Sequence, residues 1–280
     1  MHKVHGSIME SWFCFYTEYS ENTWDEFGVE HRWKNAEQLD ALTTNRGTFL
    51  EMIYRPNWGI ACYMDNAVQS CEVDESLYHE SLVHPVMSSR PAYRVMIIGG
   101  GEGATAREVL KWPVKKVDMY EWDKGVVDLF KLKYPQWAKG AWDDKRLTLY
   151  HYDIFKMISV TPLHQYDVII IDLFDPDESN LPQWSMLLHH IKKWLSPHGR
   201  IVIYSGIRNV LVQKQGYHVL NDMISVELPE LEVTPYKVFI PSFSGESTFL
   251  LLAPPATEQN FTMPSHLTSR IWESYKVFNW

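Results

Sequence analysis

Cysteine is scarce in this chain: Cys14, Cys62 and Cys71 are its three, and none stands in a C-x-x-C pair. An odd, scattered set argues against a disulfide-stapled secreted scaffold and makes a reducing cytoplasm the expected compartment. Long apolar runs are also lacking. The opening stretch MHKVHGSIMESWFCFYTEYSENTW holds no signal-type apolar core, and no later window reaches the ~20 apolar residues of a membrane span. A soluble, intracellular protein with no membrane partner is expected. Basic residues are outnumbered, 26 Lys and Arg against 35 Asp and Glu, for a formal charge of −9. With no Lys/Arg cluster to meet phosphates, a nucleic-acid partner is not expected. Repeats and low-complexity tracts are absent as well. What remains is globular in composition, 45% hydrophobic and 22% charged, and fits one or two domains. The twelve tryptophans read chiefly as packing.

The pattern changes character near His84 to Pro91, which predicts an N-terminal β-strand and hairpin domain over residues 1–88 and a second domain over 89–280. In the first, TFLEMIYR and GIACYMD read as strands joined at Pro56, Asn57 and Gly59. Residues 74–88 read as a short helix with Tyr78 and Leu82 on one face. After the junction strand and helix alternate: RVMIIG, ATAREVLKW, KVDMYE, KGVVDLFKLK, RLTLYHYD, YDVIIID, WSMLLHHIKKWL and GRIVIYS, closing in the strands VTPYKVFI and STFLLLA. That rhythm predicts an α/β fold with a doubly wound, mostly parallel sheet. The tail, with Ile271, Trp272, Tyr275, Phe278 and Trp280, is expected to pack back on the body.

RVMIIGGGEGATAREVL is an apolar strand that stops in glycines and enters a helix. It fits G-x-G-x-x-A at Gly99, Gly101 and Ala104, a backbone that lets a nucleotide approach closely. Glu121 ends the next strand about twenty residues on, where an acid accepts bonds from ribose hydroxyls. Glu102 is an anion inside the glycine turn. It would repel a diphosphate, so the pocket favours a cationic ligand, and a sulfonium nucleoside such as S-adenosylmethionine fits better than NAD. Asp153 either accepts from an adenine amino group or caps the segment after it.

YDVIIID carries Asp172 to the carboxyl edge of the sheet, where ligands of open α/β folds bind, and Asp175-Pro176 follows. Two such acids with Glu102 make an anionic pocket suited to an amine. An alkylammonium of pKa ~10.4 must lose a proton to become a nucleophile, at a cost of roughly 4 to 5 kcal/mol at pH 7. Asp172 is the candidate acceptor of that proton, and Asp175 would hold a second ammonium; the plainer alternative makes them a loop cap and a turn. Tyr78 and Tyr236 are aromatics able to line an amine's methylenes. The scattered histidines lack ligand spacing, so no metal site is expected.

VQSCEVDESLYHESLVHP, IIGGGEGATAREVLK, IIDLFDP and PYKVFIPSF, in this order, resemble the polyamine aminopropyltransferases of the spermidine synthase family. The likeness spans about Thr48 to Ala253. GGGEGATxRE, the Asp-Leu-x-Asp-Pro form and QWAKGAWDDKR resemble the thermospermine synthases and the triamine/agmatine aminopropyltransferases most. It implies a Rossmann-like, methyltransferase-like core and, with no permanently bound cofactor, decarboxylated S-adenosylmethionine as co-substrate. A di- or triamine acceptor such as putrescine, agmatine or spermidine would be extended, with methylthioadenosine released. By the same likeness Glu121 holds the ribose, Asp153 the adenine, and Glu102 with Asp172 the donor's aminopropyl ammonium. His79 and Gln69 line the donor, while Tyr78, Asp175 and Tyr236 grip the acceptor. A homodimer or homotetramer is implied too.

The sequence departs from the family in places. Leu50 stands where a donor-contacting glutamine belongs, Ile154 where a small residue flanks the adenine, and Ile207 where some members carry an acceptor-binding acid; the stretch from Asp175 to Gly199 is short. Two other readings follow: a methyltransferase using intact S-adenosylmethionine, and an inactive subunit of an aminopropyltransferase.

Overall fold

The computed structural model describes residues 14–15, 18–22, 30–157, 165–177, 179–208, 216–261 and 265–276. The chain divides into two compact units, Met1–Thr43 with Gly47–Glu72, and Thr44–Arg46 with Val73–Trp280.

The first unit is all β among its described residues. Its strands are β1 (Cys14–Phe15), β2 (Glu18–Asn22), β3 (Glu30–Lys34), β4 (Glu37–Thr43), β5 (Phe49–Arg55), β6 (Gly59–Met64) and β7 (Ala67–Cys71). They form a five-stranded antiparallel sheet in the order β1-β4-β5-β6-β7 and a separate β2-β3 ribbon. The predicted hairpin is β5-β6. Asp65 and Asn66, both at positive φ, form the tight turn into β7. Tyr19, Ile53, Ala61, Tyr63 and Cys71 make the core, and the buried Arg55 guanidinium stacks 4.0 Å over the Trp33 ring.

The second unit runs α1 (Glu75–Met87), β8 (Arg94–Gly99), α2 (Ala104–Leu110), β9 (Lys116–Tyr120), α3 (Lys124–Lys133), β10 (Leu147–Tyr150), α4 (Ile154–Met157) and β11 (Tyr166–Asp172), then α5 (Leu181–Ile191), β12 (Leu195–Arg208), α6 (Gly216–Glu227), β13 (Glu232–Ile240), β14 (Gly245–Ala253) and α7 (Ser269–Tyr275). Its sheet has the order β10-β9-β8-β11-β12-β14-β13, with five parallel strands and an antiparallel β14-β13 edge. The central parallel strands β8, β11 and β12 carry the apolar runs VMII, VIII and IVI because both faces are covered there. One face packs Ile169, Ile171, Ile201, Ile203, Leu250 and Leu252 against Trp184, Leu187 and Leu188 of α5 and Leu220 and Ile224 of α6.

The junction lies at Glu72/Val73, earlier than the expected 88/89. Helix α1 belongs to the second unit, packing on α2 and the central strands. Ten of its thirteen residues are buried, among them Glu75, His79, Ser81 and His84. A helix enclosed on all sides carries no clean polar face, and these polar residues hide its burial from a hydropathy reading. In the tail, Trp272 of α7 packs edge-on to Tyr236 at 4.8 Å; Phe278 and Trp280 lie outside the described residues. Among the described residues no helix is long and apolar enough to cross a membrane.

Candidate active site

Strand order reverses between the parallel neighbours β8 and β11: β9 and β10 lie to one side, β12 and β14 to the other. Such a switch point opens a crevice at the carboxyl ends of the two strands. Their last residues, Gly99 and Asp172, are paired. Gly99 has φ +91°, and a Cβ there would fall 1.9 Å from the Asp172 carbonyl oxygen, so only glycine lets the strands end side by side.

Asp172 is the best-held group of the site. Tyr78 donates to its Oδ1 at 2.7 Å and Thr105 to its Oδ2 at 3.0 Å. Burial, then the charge of Glu102, push its pKa up, against the opposing pull of His79, Tyr78 and Thr105. The Tyr78 hydroxyl is raised well above the usual tyrosine value by burial and by the Asp172 charge, so it stays a donor. Its ring sits edge-on to Tyr204 and Phe243, each at 5.7 Å.

Glu102 is not the uncompensated anion that the glycine turn suggested. His79 Nε2 lies 2.7 Å from its Oε1, and His79 Nδ1 lies 2.6 Å from the Glu75 carbonyl oxygen. Burial alone would neutralise this imidazole; hydrogen bonds to Glu102 and Glu75 outweigh it and raise its pKa to about 10. Glu75 answers in kind: burial would raise it, but His79 and Arg107 hold it down at about 2. Ligand atoms of His79, Glu102 and Asp172 lie within 4.8 Å of one another, a spacing a metal could use. With both ring nitrogens protonated, His79 has no lone pair to offer. Glu80, His84 and Glu108 form a similar group. There Trp112 donates to His84 Nδ1 at 3.0 Å, which leaves the proton on Nε2, and Lys111 already sits 2.6 Å from Glu108.

Glu121 follows β9, 8% exposed, with Oε1 accepting the Asp123 N–H at 2.9 Å. A Cβ at Gly101 would stand 3.2 Å from Glu121 Oε2, so this glycine admits the carboxylate to the turn. Burial, with the nearby Glu102 charge adding to it, raises Glu121 to about 7. Asp153 takes the capping role, with Oδ1 accepting from Phe155 N at 3.0 Å and Oδ2 standing 3.6 Å from Lys156 Nζ. Gln69 lies on β7 of the first unit, exposed, donating to the Ala67 carbonyl at 3.3 Å.

The Tyr204 hydroxyl and the Ile207 N–H favour the charged form of Asp175, but desolvation outweighs them and pushes its pKa up. Tyr204 was not anticipated as a site residue. It follows Ile203, which pairs with Ile171, so it ends up beside Asp172 on the same sheet edge; reading β12 in register with β11 would have found it. Thr105, Glu75 and Arg107 were missed as well.

Tyr236 is corrected. It has no exposed surface, its hydroxyl donates to the Ser81 carbonyl of α1 at 2.8 Å, and its ring stacks on Phe249 at 5.1 Å. It is a core residue with its donor already used. The same PYKVFIPSF segment meets the site region through Phe243 against Tyr78, and through Ser242 N, which donates to Asp74 Oδ2 at 2.7 Å.

A family model for the spermine/spermidine synthase domain matches residues 75–262. A polyamine aminopropyltransferase of Pyrobaculum calidifontis is 37% identical over 202 residues, 70% of this chain and 68% of that one. Another, from Ruegeria sp., is 35% identical over 199 residues with the same coverage of 70% and 68%. Among solved structures, spermidine synthase from Thermotoga maritima matches at a TM-score of 0.81 and 20% identity, covering 97% of this chain and 95% of that chain. A spermidine synthase in complex with the transition state analogue AdoDATO matches at a TM-score of 0.82 and 21% identity, covering 97% of this chain and 96% of that chain. The structural matches establish the α/β fold with its small N-terminal β domain, and the sequence matches establish descent. The chain belongs to the spermine/spermidine synthase family.

Proposed function

We propose that this protein transfers the aminopropyl group of decarboxylated S-adenosylmethionine to a di- or triamine and releases methylthioadenosine. The observation that carries the reading is the half-buried Asp172 carboxylate, held by Tyr78 and Thr105 at the switch point beside the His79–Glu102 pair. A raised pKa makes this acid a better proton acceptor than a solvated one. The acceptor amine gives its proton to Asp172, and its freed lone pair attacks the carbon next to sulfur in line. The C–N bond forms as the C–S bond breaks, and the sulfonium leaves as a neutral thioether. Holding amine and carbon in contact supplies most of the acceleration.

Glu121 accepts from the ribose hydroxyls, and Asp153 takes the adenine amino group on the oxygen turned away from its cap. Glu102 and Asp172 flank the donor's ammonium. With His79 cationic and Asp172 ionised, these three groups carry one net negative charge, which still favours a donor without a carboxylate over one with it. Asp175, backed by Tyr204, holds the acceptor's remote ammonium.

The test is methylthioadenosine release from decarboxylated and from intact S-adenosylmethionine, each with and without amine. Release that needs both the decarboxylated donor and an amine supports the proposal. Amine-dependent conversion of the intact donor to S-adenosylhomocysteine would replace it with methyl transfer.

A further inference from the structure

Glu75 opens α1, and His79 stands one turn later on the same side. Its Nδ1 meets the Glu75 carbonyl oxygen, with Glu75 Oε2 at 3.2 Å, and its Nε2 meets Glu102 Oε1. A carbonyl oxygen and an ionised carboxylate only accept, so each ring nitrogen must carry a proton. Behind this imidazolium Arg107 closes on Glu75 with both terminal nitrogens, at 3.1 and 2.8 Å. Its Nε reaches Glu108 at 2.7 Å, and Lys111 stands 2.6 Å from Glu108. Charge alternates in sign from Lys111 through Glu108, Arg107, Glu75 and His79 to Glu102.

We propose that Glu75 and Arg107 are positioning residues of the donor site: by fixing His79 as a cation they hold Glu102 in one orientation, with Oε1 occupied by His79 and Oε2 turned to the donor's positive charge. The donor named here rests on the proposed function. The groups facing His79 are Glu75 on its own helix, Glu102 from the glycine turn, Asp172 from β11, Tyr78 beside it, and Arg107 from α2 behind Glu75. Without the Glu75 charge, burial drives the ring toward its neutral form. A neutral ring has one N–H, so it satisfies either the Glu75 carbonyl or Glu102 but not both. Glu102 then loses its anchor. His79, fully protonated at the outset, also takes no proton from the amine, which leaves that role to Asp172.

The test is a titration of the full chain labelled with 15N-histidine, with the His79 signals assigned by their loss in His79→Gln. In the unaltered protein both ring nitrogens stay protonated between about pH 6 and 9. In Glu75→Gln the ring deprotonates within that range, shifted down by more than about one unit. Donor KM rises about tenfold, as for a lost charge-assisted bond, and acceptor KM stays within about twofold. A neutral His79 at pH 7 in the unaltered protein would overturn the proposal. So would a Glu75→Gln variant whose His79 titration is unmoved, or whose two KM values rise together. Should Glu75→Gln not fold, the titration of the unaltered protein decides alone. That titration needs no substrate, so its outcome is separate from whether aminopropyl transfer is the reaction.

Discussion

The Tyr78 hydroxyl donates to Asp172 Oδ1 across 2.7 Å, joining helix α1 to the last residue of strand β11 over 94 positions of sequence. A half-buried carboxylate, raised in pKa and aimed by two hydroxyl donors, suits the proton-acceptor role proposed for it.

Asp172→Asn keeps the shape and removes the proton acceptor. Turnover should fall by about 10²-fold or more, the usual weight of a general base, while calorimetry still detects donor binding. Retained turnover would take Asp172 out of the mechanism.

Tyr78→Phe removes a hydrogen bond that stabilises the ionised Asp172. The folded pKa of Asp172 then rises further, and the acid limb of the kcat profile moves to higher pH, because the group works only when ionised. The measurement is kcat against pH for both proteins; a limb that stays put would show that the bond does not tune Asp172.

Donor binding should tighten as pH rises through about 7, the value to which burial raises Glu121. Ribose hydroxyls donate, so the ionised form binds them best, and one unit below that pKa the loss approaches about tenfold. Glu121→Gln flattens the dependence. The sign for stability is opposite: a carboxyl whose folded pKa lies above its unfolded value favours folding at low pH and loses that contribution as pH rises from about 4.5 to about 7.

Asp175→Asn should raise acceptor KM more than donor KM. Tyr204→Phe, which removes a hydroxyl that favours the charge of Asp175, moves acceptor KM the same way by a smaller factor. Steady-state kinetics with each substrate varied in turn reads both, and a larger effect on the donor would mean the two subsites are exchanged.

Tyr236→Phe checks the correction. It leaves the Ser81 carbonyl without its partner and should cost about 1 kcal/mol of stability, with acceptor KM unchanged. A several-fold rise in acceptor KM would return Tyr236 to the amine site.

What the sequence disclosed and what it hid follow from range. The glycine turn, Glu121 and Asp172 were legible because a strand, its last residue and the turn after it are neighbours in the chain. The grip on Asp172 was not, since Tyr78 and Thr105 reach it across 94 and 67 positions. Nor was the Glu75–Arg107 fork, which spans 32. Glu102 stands as a bare charge in the sequence because its cation, His79, lies on another element. Tyr236 could have been read better: Tyr236, Val238 and Ile240 alternate with outward Lys237 and Phe239, the period of a strand face turned to the core. Strand β4, EQLDALT, lacks any apolar alternation and is defined by its pairing with β5.

The central claim is aminopropyl transfer, and product analysis tests it most directly. Purified protein is incubated with decarboxylated S-adenosylmethionine and a mixture of putrescine, agmatine, spermidine and spermine, then resolved by mass spectrometry. The account predicts methylthioadenosine in equal amount with one amine made heavier by a single aminopropyl unit. Folded protein that binds the donor yet yields neither product would contradict it.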